Sequence, residues 1–145
     1  MLQKYLDQIP KAFLNFQFIE EALKLYLYRF EAMAIIRFEG VLYYRFNQSD
    51  LKEIEIMPLG KLIKVFERRN NNKDLLKKLK KIRVTRNFIA HQSYVIATNA
   101  KTENIEEELY NIKETIKESR ECFFELNKEI GNIEKKISEI KNKRI

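Results

Sequence analysis

The sequence predicts an all-α protein: long helices with few connections, the last running from about residue 104 to 143 on a heptad pattern. Only three Gly and two Pro stand in 145 residues, which leaves little material for the tight turns of a sheet of hairpins. Leu, Ile, Lys and Glu dominate the remainder. Ile105, Leu109, Ile112, Ile116, Ser119, Phe123, Leu126, Ile130, Ile133, Ile137 and Ile140 are spaced alternately by four and three, a seam sustained over five repeats. Glu106, Glu107 and Glu108 suit the positive end of that helix's dipole. At about 1.5 Å per residue such a helix is about 60 Å long, longer than a compact domain of this size. Its end is therefore expected to pack on the first helix or on another chain.

The first helix is expected to open at Pro10, which suits a first turn because its missing N–H is not needed there, and to run to about Phe46. Phe13, Leu14, Phe18, Ala22, Leu25, Arg29, Ala32, Met33, Ile36 and Gly40 recur at steps of three and four and mark its core face. Phe16, Tyr26, Leu27, Phe30 and Phe38 widen the apolar surface, so cover from more than one side is expected, a partner chain included. Asn47-Gln48-Ser49-Asp50 is a cluster of turn formers, and 51–57, without a clear helical phase, reads as a loop. Pro58 opens a short helix whose Leu59, Leu62, Ile63 and Phe66 share a face, and Asn70-Asn71-Asn72 ends it. A further helix starts at Lys73 or Asp74 and carries Leu75, Leu76, Leu79, Ile82, Arg86, Ile89 and Ala90 toward His91, with Thr98-Asn99 at its end.

The length suits a single domain over 1–145, large enough to bury a core without covalent staples. Cys122 is the only cysteine and cannot close an intramolecular bridge; with one His in the chain, no conventional zinc site can be built from it alone. No cofactor is expected. No apolar run approaches the roughly 20 residues of a membrane span, and the first residues, with Asp7 and Pro10, lack a signal-peptide pattern, so a soluble, cytoplasmic protein is expected. The formal charge of +7 is unevenly spread: −1 over residues 1–60, +9 over 61–100 and −1 over 101–145. Lys73, Lys77, Lys78, Lys80, Lys81 and Arg83 form either a solvated helix face or a surface for a polyanion such as RNA, bound by counterion release without sequence readout.

His91 is the sole histidine, five residues after Arg86 and one helical turn after Asn87. At about 100° per residue, Arg86 and His91 lie about 140° apart on a helix, so they flank a cleft rather than stack, while Asn87 and His91 share a face. Arg86-Asn87-Phe88-Ile89-Ala90-His91 resembles the mark of the HEPN superfamily: Arg, usually a polar residue, a short spacer and His, on a helix of a four- or five-helix bundle. Pro58-Leu59-Gly60-Lys61-Leu62-Ile63 is similar to the segment that opens a helix ahead of that motif, and the helix order agrees over most of the chain.

The resemblance implies a metal-independent RNA endonuclease, a toxin or abortive-infection effector, in which two protomers bring their Arg and His pairs together. The residue types suit those roles. Cleavage by the neighbouring 2′-hydroxyl needs a group that takes and gives a proton near neutral pH, as histidine can, and Arg86 offers a charged planar fork to the phosphate oxygens. Asn87 would orient His91 or bond the phosphate. One His per chain cannot readily act as base and acid at once, a chemical reason for a homodimer that supplies two. Some HEPN toxins are silenced by a nucleotidyltransferase antitoxin that adenylylates a tyrosine two residues after the His. Tyr94 stands three residues after His91, departing from that spacing, and is expected to pack at the edge of the site. Two other readings stand beside the nuclease: a HEPN-like module that binds RNA or holds a dimer without cutting, and a helical assembly protein joined to others through 104–143.

Overall fold

The computed structural model describes residues 1–37, 48–99 and 104–143, and over them the chain is a bundle of five helices. They are α1 (Leu2–Arg37), α2 (Gln48–Ile56), α3 (Leu59–Arg69), α4 (Lys73–Asn99) and α5 (Ile105–Lys143). Among the described residues there is no strand, and no helix is long and apolar enough to cross a membrane. Phe38, Gly40, Phe46 and Asn47, which the sequence pattern assigns to the first helix and the turn after it, lie outside the described residues.

The heptad seam becomes the main packing surface. Leu109, Ile112, Ser119, Leu126, Ile130 and Ile133 are buried, and Ile105, Ile116, Phe123 and Ile137 are partly so. The partner is α1, of 36 residues against the 39 of α5. Asn15 meets Ser119, Phe18 meets Phe123 and Arg29 meets Glu134, so numbers rise together along both helices and the two run parallel. Length thus matches length, and the tail of α5 finds its cover within the chain.

Ser119 is the one polar side chain of that seam and is fully buried. Its hydroxyl donates to the Ile116 carbonyl at 2.9 Å and accepts from the Asn15 amide at 3.1 Å, and the same amide reaches the Ile116 carbonyl at 3.2 Å. A slip of α1 along α5 would strand these groups without partners, so the trio pins the register. α4 runs antiparallel to both long helices: its end meets the start of α1 through Tyr5 and Ser93, its middle meets α1 through Glu20 and Arg86, and Lys81 and Lys78 meet Glu118 and Glu125 of α5 in reverse order.

Three expectations are corrected. Pro10 lies inside α1 rather than at its start. A proline there costs about 3 kcal/mol, and the turns before it are held by burial of Tyr5 and by Leu2, Leu6 and Ile9 against the core. The segment read as a loop is helical through Ile56, with Ile54 buried and Met57 packed on the core. Ser49 and Asp50 fall in its first turn, where such residue types favour a helix start, so a turn signal in the sequence marks the start of a helix. The buried face of α1 matches the predicted one only in part: Ala22 and Met33 are buried and Phe13 packs on the core, but Tyr5, Ala12, Phe16, Ile19, Leu23, Tyr26 and Leu27 are buried too, whereas Leu14, Phe18 and Leu25 are 49%, 45% and 41% exposed. Apolar residues surround α1, so more than one stripe satisfies the helical period, and α3, α4 and α5 select which is covered.

Candidate functional site

Two opposed stripes organise α4. Leu75, Leu79, Ile82, Arg86, Ile89, Ser93 and Ile96 follow steps of four and three along the inner face, and the five apolar members are buried. Lys73, Lys77, Lys80, Val84, Asn87, His91, Tyr94 and Thr98 follow the same steps along the outer face, and every one is exposed. The period that gathers each set also keeps the sets apart.

Arg86 therefore occupies an inner position between Ile82 and Ile89, while His91 and Asn87 stand on the outer stripe. The Arg86 guanidinium lies 3.6 Å from a Glu20 carboxylate oxygen, with side-chain exposures of 36% and 23%. Together they line a groove of about 410 Å3 with Phe13, Phe16, Gln17, Glu21 and Lys24 of α1. The His91 side chain forms no hydrogen bond or ion pair among the described residues. One chain brings Asn87 and His91 onto a common face and sets Arg86 on another. Tyr94 is 69% exposed and so does not pack within the chain; it falls on the outer stripe because the inner one is filled by Ser93 and Ile96.

The basic residues of α4 divide in two. Lys78 pairs with Glu125, Lys81 with Glu118 at 3.0 Å and Lys80 with Glu67 at 3.2 Å. Arg83 lays its guanidinium over Gly60, so closely that a Cβ there would fall 2.6 Å from its central carbon; the glycine makes room for this approach of α4 to α3. The hydrogen bond to the Glu125 carboxylate pushes the Lys78 ammonium above its ordinary pKa. Part of the positive charge thus ties α4 to its neighbours. Lys73 and Lys77 are exposed and form no ion pair among the described residues.

A second concavity, of about 910 Å3, escaped the reading of the sequence. It lies where the α3–α4 turn meets the C-terminal half of α5, lined among others by Arg68, Arg69, Asn70, Asn71, Lys73, Glu129, Asn132, Lys135 and Lys136. The asparagine run builds its floor. The Asn70 amide donates to the Tyr26 hydroxyl at 3.0 Å and to Glu129 at 2.9 Å, and the Asn72 amide donates to the other Glu129 oxygen at 2.9 Å. Asn70 Oδ1 accepts from the Asn72 N–H at 2.7 Å, and Asn72 Oδ1 caps α4 by accepting from the Leu75 N–H at 3.1 Å. Three consecutive asparagines beside a lysine, with Lys135-Lys136 far along the chain, were the available signal, but only the packing of α5 on the turn joins them. Burial pushes the Tyr26 hydroxyl above its ordinary pKa.

Cys122 is buried, and burial pushes its thiol up to about 12, so it is no nucleophile at neutral pH. Among the described residues, no cluster of His, Cys, Asp and Glu is arranged to hold a metal ion. No family model matches this chain, and no match is found among curated proteins or solved structures.

Proposed function

We propose that this protein is a metal-independent endoribonuclease of the HEPN type, a toxin or phage-defence effector that cuts RNA by 2′-hydroxyl attack at a site completed by a second copy. One observation carries the reading: the outer face of α4 holds His91 and Asn87 exposed beside Val84, Phe88 and Tyr94, which are 69%, 53% and 69% exposed. Apolar side chains alternating with hydrogen-bonding ones along one exposed helix face suit a helix that meets its own copy across a two-fold axis. Such a crossing would bring two imidazoles together, one to take the 2′-hydroxyl proton and one to protonate the leaving 5′-oxygen. Arg86 has a single contact to Glu20, longer than a hydrogen bond, and would exchange it for a phosphate oxygen at the rim of the crossing.

RNA incubated with the parent in EDTA should be cut to fragments ending in 2′,3′-cyclic phosphate. The His91→Ala variant should lose about 100-fold or more of that rate while melting like the parent, and Arg86→Ala should lose a comparable factor. Variants that fold normally and still cut RNA, or still arrest growth when expressed, at the parental level would refute the nuclease reading.

A second reading is favoured by a specific feature: the Arg86 side chain turns toward Glu20 and away from His91, as it would in a HEPN-like module that binds RNA or dimerises without cutting. That module retains salt-sensitive RNA binding and leaves RNA intact. The assembly reading through 104–143 loses its main support, because the seam of α5 is occupied by α1. The exposed Tyr94 hydroxyl is open to an antitoxin of nucleotidyltransferase type, but its spacing from His91 stands against one.

A further inference from the structure

The concavity at the α3–α4 turn has an uneven balance of free charge. Arg68, Lys73, Lys135 and Lys136 line it, all exposed and, among the described residues, none in an ion pair. Of the carboxylates on the same wall, Glu67 is paired with Lys80, whereas Glu129, held in place by the neutral Asn70 and Asn72 amides, and Glu139 keep their charge. Arg69 does not add to the count, because it pairs with Glu31 and lies over the Phe30 ring at 5.0 Å. Four free cations around a concave bed, against the two carboxylates of Glu129 and Glu139, leave a net positive potential that favours phosphate.

We propose that this groove binds the phosphodiester backbone of single-stranded RNA through Arg68, Lys73, Lys135 and Lys136, and that the lysines tied to Glu67, Glu118 and Glu125 do not carry those contacts. The inference rests on the reading of RNA as the ligand and locates it on the fold. A concave, cation-lined bed of about 910 Å3 can track the backbone of a single strand, as in grooves that bind single-stranded nucleic acid without sequence preference. Lys73 and His91 are eighteen residues apart, five full turns, so they share one face of α4 about 27 Å apart. A strand leaving the groove past Lys77 on the outer stripe runs toward His91. The Asn71 and Asn132 side chains on the walls supply neutral hydrogen bonds that a sugar–phosphate chain can use without sequence preference.

The test is fluorescence anisotropy with a 5′-labelled, mixed-sequence, 2′-O-methyl single-stranded RNA, which binds but cannot be cut by 2′-hydroxyl attack. The Lys135→Glu/Lys136→Glu variant should bind at least tenfold more weakly than the parent, with the slope of log affinity against log salt reduced by about 1.4, near 0.7 for each lost phosphate contact. Arg68→Gln/Lys73→Gln, on the opposite wall, should show the same direction of loss. Lys113→Glu/Lys117→Glu changes net charge equally at two exposed positions near the other end of α5 and should change affinity no more than twofold. Equal loss in that control, parental affinity in both groove variants, or no RNA binding by the parent would overturn the proposal. A parent that binds the probe through the groove yet leaves ordinary RNA uncut would sink the nuclease reading alone, and one that cuts RNA with the groove variants binding normally would sink the groove alone.

Discussion

The inner seam of α5 and the outer stripe of α4 follow the same four-three rhythm and meet opposite fates. On α5 the positions hold Ile, Leu, Phe and one Ser, and α1 covers them along nearly the whole helix. On α4 the outer positions hold Lys, Val, Asn, His, Tyr and Thr, and all stay in water. Period makes a face; side-chain chemistry decides whether a neighbour is drawn onto it by apolar burial or held at its edges by charge. Of the candidate residues, His91 and Asn87 sit on the second kind of face, where replacing a residue costs the fold little, and Arg86 on the inner one.

That contrast can be broken by substitution. Leu126→Ala, at a fully buried seam position, should cost about 2 to 5 kcal/mol in urea denaturation, since it removes apolar contacts and leaves a cavity. A loss below about 1 kcal/mol would mean that α1 does not cover the seam.

A pH titration of stability probes the same dry interior. Cys122, with an ordinary value of 9.0, is pushed up to about 12 in the fold, and burial moves Tyr5 and Tyr26 upward too. Between those two values the unfolded thiol ionises while the folded one keeps its proton. Stability is therefore unaffected by this group below about pH 9 and falls as pH rises toward 12, by at most about 1.4 kcal/mol per unit. Urea midpoints across that range should fall for the parent and fall less steeply for Cys122→Ala; identical slopes would place the thiol in water.

Smaller effects belong to the outward faces. Gly131 lies mid-helix in α5, and a Cβ added there would meet nothing within 4 Å, so Gly131→Ala should stabilise the monomer by about 1 kcal/mol through helix propensity, read as a raised melting temperature. Phe88→Ala should change monomer stability by no more than about 0.5 kcal/mol while weakening self-association measured by sedimentation. A large loss of monomer stability would show that Phe88 is held within the chain.

Much of the fold was legible in the chain itself. The bounds of α3, α4 and α5 follow from Pro58, the asparagine run and the heptad seam, because each of those signals acts within a few residues of where it stands. The start of α1 was not, since Pro10 marks a helix start only when nothing holds the turns before it, and Tyr5 does so from a distance through Ser93 and the core. The candidate site was half legible. The angle of about 140° between Arg86 and His91 follows from spacing alone, but whether that angle spans a cleft depends on what lies beside α4. Glu20, far from Arg86 along the chain, answers for it.

The amino-acid sequence by itself determined that this protein is helical, where α3, α4 and α5 begin and end, and that one imidazole stands a turn beyond Asn87 on the helix that carries most of the net positive charge. Those properties are local: backbone torsions, caps and side-chain chemistry act over one or two turns. Only the tertiary structure decided which of several apolar stripes on α1 is buried, which lysines are tied to carboxylates, and that Lys135 and Lys136 share a groove with Arg68 and Lys73. Those outcomes depend on neighbours far apart in the chain, and a helical period cannot distinguish two faces that are both apolar or rank two cations that are both exposed until a partner helix arrives.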